Sequence, residues 1–182
     1  MRWPDLSDVL GGLPWAVVGA AATRLYMPER STRDLDVVVL KKDAAAARRR
    51  LRTAGYQYRG ELAIGGSAWA TSDGTPLDIL EGREPWWPEA LAQAQPNRDA
   101  QGLPVLTLPY LVLSKLLAGR VQDIADATRM LGYADEAGLR EVRRLIGKLQ
   151  ADLLEDLESL ISLGKLELGD ATGDGGRDED LP

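Results

Sequence analysis

Arg30-Ser31-Thr32-Arg33-Asp34-Leu35-Asp36-Val37-Val38-Val39-Leu40 sets two carboxylates two residues apart at the mouth of a β-branched apolar run. On a strand, residues i and i+2 project from one face, roughly 6.6 Å apart. Asp34 and Asp36 are therefore expected to point together while Leu35 and Val37 turn into a core. Carboxylates held this way repel unless a cation neutralises them. Oxygen donors of this kind suit Mg²⁺, which is usually held by one or two carboxylates together with substrate phosphates.

Working outward, the composition narrows the chemistry by what it lacks. The 182 residues contain no histidine and no cysteine. A Ser-His-Asp triad, a thiol nucleophile and the usual zinc ligand sets are thereby excluded. Catalysis must be run by carboxylates, Lys, Arg, Ser/Thr, Tyr or a hard metal ion. The formal charge is −6, and residues 170–182 account for −4 of it, which leaves a nearly neutral body. No broad basic surface for nucleic acid is expected. One compact basic cluster remains in Arg48, Arg49, Arg50 and Arg52. The N-terminus lacks a basic-then-apolar leader, and no apolar stretch reaches the roughly 18 residues that span a bilayer. Together with the missing cysteines this predicts a cytoplasmic protein with no membrane contact.

The pattern along the chain predicts an α/β (α+β) fold: a mixed sheet with packed helices and a C-terminal helical extension. Trp15–Gly19 reads as a buried strand and Ala20–Tyr26 as a short helix stopped by Pro28. Asp34–Leu40 is expected at the centre of the sheet. Asp43 is expected to cap a helix over 44–54, with Gly55 ending it. Residues 56–63 suggest a strand, and Asp73-Gly74 marks a hairpin between 69–72 and 75–80. A Pro-rich connection spans 85–104. One helix is expected over 108–131, with Leu113, Leu117, Val121, Ile124, Thr128 and Leu131 on its apolar face and Lys115, Gly119, Gln122 and Asp126 opposite. A last amphipathic helix covers 136–163. The expected divisions are a core over 1–106, a helical region over 107–168 and a disordered acidic tail over 169–182.

Val18-Gly19-Ala20-Ala21-Ala22, then Tyr26, Arg30, Thr32, Asp34, Leu35 and Asp36, resembles the nucleotidyltransferase superfamily related to DNA polymerase β. Within it the pattern is most similar to AbiEii-like and minimal nucleotidyltransferases. The isolated acid of Leu77-Asp78-Ile79 matches that family's third carboxylate. The helix carrying Lys115, Arg120, Asp123 and Asp126 resembles the AbiEii-like Lys…Arg…Asp helix. The resemblance implies a nucleotidyltransferase-type sheet and transfer of an NMP from an NTP, with pyrophosphate released. Asp34, Asp36 and Asp78 would hold Mg²⁺, or Mn²⁺ in its place. Gly19 and Ala20 would cradle the triphosphate, with Arg30 and Thr32 organising the loop beside it. Lys115 would neutralise phosphate charge as a catalytic ligand. The acceptor would be RNA, tRNA or a protein, in a toxin–antitoxin or defence setting with an antitoxin partner. Ala20 departs from the family, whose active members usually carry Gly or Ser there; an alanine offers no hydroxyl to a phosphate.

Other readings stand beside these. The fold is also compatible with a catalytically inactive module that binds a nucleotide or a protein. The last helix and acidic tail could instead act as an oligomerising element, for example in a homodimer. Asp123 and Asp126 are placed to pair with Lys115 or Arg120. Trp86 and Trp87 fit a cover over the core edge better than a base-stacking platform. The arginine cluster reads as a solvated helix face.

Overall fold

The computed structural model describes residues 2–28 and 31–173, and the chain divides after Thr107 into two compact units. Among the described residues no helix is long and apolar enough to cross a membrane.

The first unit is built on a five-stranded mixed sheet. Its strands are β1 (Trp15–Val18), β2 (Leu35–Leu40), β3 (Gln57–Glu61), β4 (Gly66–Ala70) and β5 (Pro76–Gly82), in the spatial order β1-β2-β5-β4-β3. β2 pairs antiparallel with β1 and parallel with β5, so β5 and not β2 occupies the middle. The apolar run of β2 has no polar interruption after Asp36, which suits a strand buried on both faces. The Asp73-Gly74 turn forms as expected: the Thr71 N–H donates to the Thr75 carbonyl at 3.0 Å and joins β4 to β5.

Four helices surround this sheet: α1 (Ser7–Leu10), α2 (Gly19–Thr23), α3 (Ala44–Thr53) and α4 (Trp87–Ala94). α3 buries Ala44, Ala47 and Leu51. Three members of the arginine cluster are engaged locally. Arg48 binds Glu61 at 2.7 Å and Glu81 at 3.2 Å, Arg50 donates to the carbonyls of Leu10 and Gly11, and Arg52 lies over the Tyr58 and Trp69 rings. Asp43 sits at the α3 N-cap without a side-chain bond, because a 3₁₀ turn over Lys41–Asp43 already holds it in helical dihedrals. Helix α4 lies in the segment expected to be only a connection. Pro88 falls in its first turn, where the missing N–H costs nothing. Trp86 is buried with its ring centroid 4.3 Å from that of Trp87, and the Trp87 ring occupies the space a Cβ on Gly82 would need. The pair covers the sheet.

The second unit holds α5 (Leu108–Ala118), α6 (Val121–Tyr133), α7 (Glu136–Leu149) and α8 (Leu154–Gly173). Two helices expected to be continuous are each broken. Gly119, at φ +64°, ends α5, its N–H returning to the Lys115 carbonyl, and Arg120 is extended. Gln150, at φ −151° and ψ 65°, separates α7 from a short 3₁₀ turn before α8. The first break undoes the expected apolar stripe: Val121 is 89% exposed and Leu117 is exposed too. The backbone expected to be disordered from 169 is helical to Gly173, while 174–182 lie outside the described residues. α6 and α8 cross at two glycines. A Cβ on Gly132 would stand 2.5 Å from the Gly164 carbonyl oxygen, and one on Gly164 only 2.2 Å from that of Thr128. Lys165 clamps the crossing by donating to the carbonyls of Gly132 (2.9 Å) and Ala134 (2.7 Å) at the end of α6.

Replacing Gly164 with alanine should force the two helices apart and cost about 1–3 kcal/mol, read as a lower urea midpoint. Gly169→Ala, with nothing within 4 Å of the added methyl, should leave stability unchanged or raise it by up to about 1 kcal/mol.

Candidate functional site

The acids Asp36 and Asp78 are register partners on the adjacent parallel strands β2 and β5. Their Cα atoms are therefore about 4.8 Å apart, and their side chains leave the same face of the sheet. The neighbouring positions Leu35, Val37, Leu77 and Ile79 are buried on the other face. Trp69 marks that opposite face, since it pairs with Leu77, whereas Ala68 pairs with Asp78. The sequence placed three acids near one another; the structure supplies the register that aligns two of them.

Gly19 closes the site from the β1 side. Val18 is the antiparallel partner of Asp36, and Gly19 follows it at φ +61°. A Cβ at position 19 would lie 2.0 Å from Asp36 Oδ2 and 2.8 Å from its Cγ. Glycine is thus required twice over, by a backbone conformation L residues rarely adopt and by the carboxylate pressed against it.

Asp34 is exposed just ahead of β2, and Asp78 is half-buried. Burial pushes the Asp78 carboxyl above the ordinary carboxylate range, and the negative charge of Asp34 pushes it further the same way. The charge of Asp34 thus reaches Asp78. Among the described residues no group of three or more His, Cys, Asp or Glu side chains is arranged to hold a metal ion. The donor set fits a hard cation shared between two carboxylates and substrate oxygens, not a complete protein cage. Thr32 Oγ1 donates to the Asp34 carbonyl at 3.4 Å, a long bond within the loop before β2. Arg30 lies outside the described residues. Gly19 and Ala20 open α2, a helix of five residues whose first two positions carry no polar side chain.

Lys115 belongs to the second unit and is not on an open polar face: it is only 3% exposed. Its ammonium donates to Asp126 at 2.8 Å and to Asp123 at 3.1 Å. Asp123 also accepts from Arg120 Nε at 2.5 Å, and Asp126 from Gln122 Nε2 at 3.0 Å. In one continuous helix, Lys115 and Asp126 would be separated by about 16 Å along the axis. The break at Gly119 folds α6 back and brings them together. The pairing was legible in the residue types, but its geometry depended on a chain reversal that helical periodicity concealed.

No protein-family model matches the chain, and no curated protein matches it. Solved structures similar to it include the antibiotic-resistance factor ANT(2'')-Ia, with 18% identity and a TM-score of 0.46 over 91% of this chain and 89% of that one. Another is the lincosamide antibiotic adenylyltransferase LnuA, with 13% identity and a TM-score of 0.44 over 78% of this chain and 90% of that one. A third is a CCA-adding enzyme in complex with CTP, with 13% identity and a TM-score of 0.41 over 91% of this chain and 49% of that one. Likeness at this distance assigns no chemistry to individual side chains.

Gly19→Ala should cost about 1–3 kcal/mol in chemical denaturation, combining the backbone and steric penalties. Adding Asp36→Gly should recover the steric share, so the two substitutions will be non-additive. Lys115→Met, which strands two buried carboxylates, should cost about 3–5 kcal/mol.

Proposed function

We propose that this chain is a nucleotidyltransferase that moves an NMP from an NTP to an acceptor hydroxyl, with a divalent cation, Mg²⁺ or Mn²⁺, at the Asp36–Asp78 pair. The observation that carries this reading is the in-register carboxylate pair on parallel strands, with the Gly19 backbone against one member and the Asp34 charge acting on the other. Two carboxylates side by side repel each other, and a divalent cation beside them would relieve that repulsion. A bound cation would draw charge from the phosphate oxygens and let them approach two carboxylates.

The residues of the chain then have separate roles. Gly19, having no Cβ, lets the Asp36 carboxylate lie against its backbone. Asp36 and Asp78 supply hard oxygen donors, and Asp34 adds negative charge at the outer side. A cation held at Asp36 and Asp78 would make the attacking acceptor hydroxyl more acidic, so that its oxygen loses its proton to solvent. That oxygen forms a bond to the α-phosphorus, the bond from that phosphorus to the bridging oxygen breaks, and pyrophosphate leaves with the electron pair. Thr32 tethers the loop that presents Asp34. Lys115, whose ammonium is taken by two carboxylates, is assigned to the elbow between α5 and α6. RNA, tRNA and protein are the acceptors to try. Ala20 supports a second reading, in which the site binds an NTP without turnover.

Incubation with each α-labelled NTP, Mg²⁺ and either total RNA or cell lysate tests this function. Wild-type protein should transfer label, chelation of the metal should stop it, and Asp36→Asn or Asp78→Asn should each lower it about 100-fold or more. Calorimetric binding of NTP·Mg²⁺ without product would select the second reading. Absence of both binding and transfer would overturn both.

A further inference from the structure

The edge strand β3 pairs irregularly with β4. Tyr58 opposes Trp69 and Glu61 opposes Ser67, but Arg59 and Gly60 together face the single residue Ala68. This is a β-bulge, a device that redirects side chains at sheet edges and beside active sites. Its effect here is specific. In a regular strand Arg59 and Glu61, two residues apart, would share a face and pair. The extra residue sends Glu61 to the other face, where it accepts from Tyr58 Oη at 2.6 Å and pairs with Arg48 at 2.7 Å. Among the described residues no carboxylate pairs with Arg59.

Arg59 lies on the face that carries the acids. It is the extra residue of the bulge beside Gly60, which pairs with Ala68, the partner of Asp78, and its Nη2 donates to Gln57 Oε1 at 3.0 Å. Gln57 in turn opposes Ala70, two residues from Ala68 on the same face. Two strand spacings, about 10 Å, separate Arg59 from Asp78. Between them the sheet surface is formed by Gly60 and Ala68. An exposed guanidinium oriented by a neutral amide, kept from its nearest acid and set across a low floor from the carboxylates, is equipped to receive an anion.

We infer that Arg59 binds a phosphate group of the acceptor substrate at the β3 edge of the face that carries the acids. This rests on the nucleotidyl-transfer reading of the acids. It selects phosphate-bearing acceptors, an RNA end or a phosphorylated small molecule, over uncharged or cationic ones.

Fluorescence anisotropy with a labelled hexaribonucleotide, using the full chain and no NTP, tests this. Arg59→Gln should weaken binding about tenfold and reduce the slope of log K against log salt by about 1. Arg59→Lys should recover most of the loss, and Arg49→Gln, at an exposed arginine on α3, should bind as wild type. Displacement of the probe by a nucleoside 5′-monophosphate at comparable concentration would point to a small phosphorylated acceptor; failure of that displacement would point to RNA. Undetectable binding by the wild type, unchanged binding by Arg59→Gln, or equal losses at positions 49 and 59 would each overturn the inference. NTP·Mg²⁺ titration of the same proteins reads the acids separately: its failure with probe binding intact would overturn the transfer reaction and leave Arg59 in place.

Discussion

The structure of the first unit turns on a repulsion. Asp36 and Asp78 sit side by side on parallel strands, where like charges are unfavourable, and β2–β5 pairing holds them there. Every buried apolar residue of β2 and β5 helps to impose that register, because a slip by one position would send Val37 or Ile79 to the acid face. Core packing and site assembly are therefore one constraint. The backbone at Gly19 belongs to the same constraint, since it fills the space beside Asp36 that any larger residue would contest.

Much of this was legible in the residues. The Asp-x-Asp element, the glycine after the first strand and the hairpin at Asp73-Gly74 each carry a local rule with one dominant structural outcome. Strand register does not, since it is set by packing between segments more than forty residues apart. The helix over 87–94 is masked in the sequence by the Pro85-Trp86-Trp87-Pro88 run at its start, although Pro88 stands where a helix start tolerates it and the residues after it are good helix formers. The break in the helical region is hidden in the sequence for a related reason. Periodicity counts residues but does not register a single left-handed glycine, and Gly119 alone reassigns Val121 to solvent and Lys115 to the interior.

The two ionic groupings differ in kind. On the sheet, negative charges gather on one face, and the β3 bulge turns Glu61 away from Arg59. In the second unit, Lys115, Arg120, Asp123 and Asp126 combine two cations with two anions. These ion pairs hold the turn between α5 and α6. The functional argument rests on the acids of the sheet because two of them lie in register on one face.

The glycine crossing of α6 and α8 has a mechanical consequence. Main chain meets main chain at Gly132 and Gly164, with carbonyl oxygens where side chains would ordinarily interdigitate. A longitudinal slide by one residue would bring Lys165 or Leu163 into that gap, which has no room for either. The two rods are thereby indexed like a notch and key, and changes of length in the Gln150–Leu153 connector must be absorbed by the connector itself.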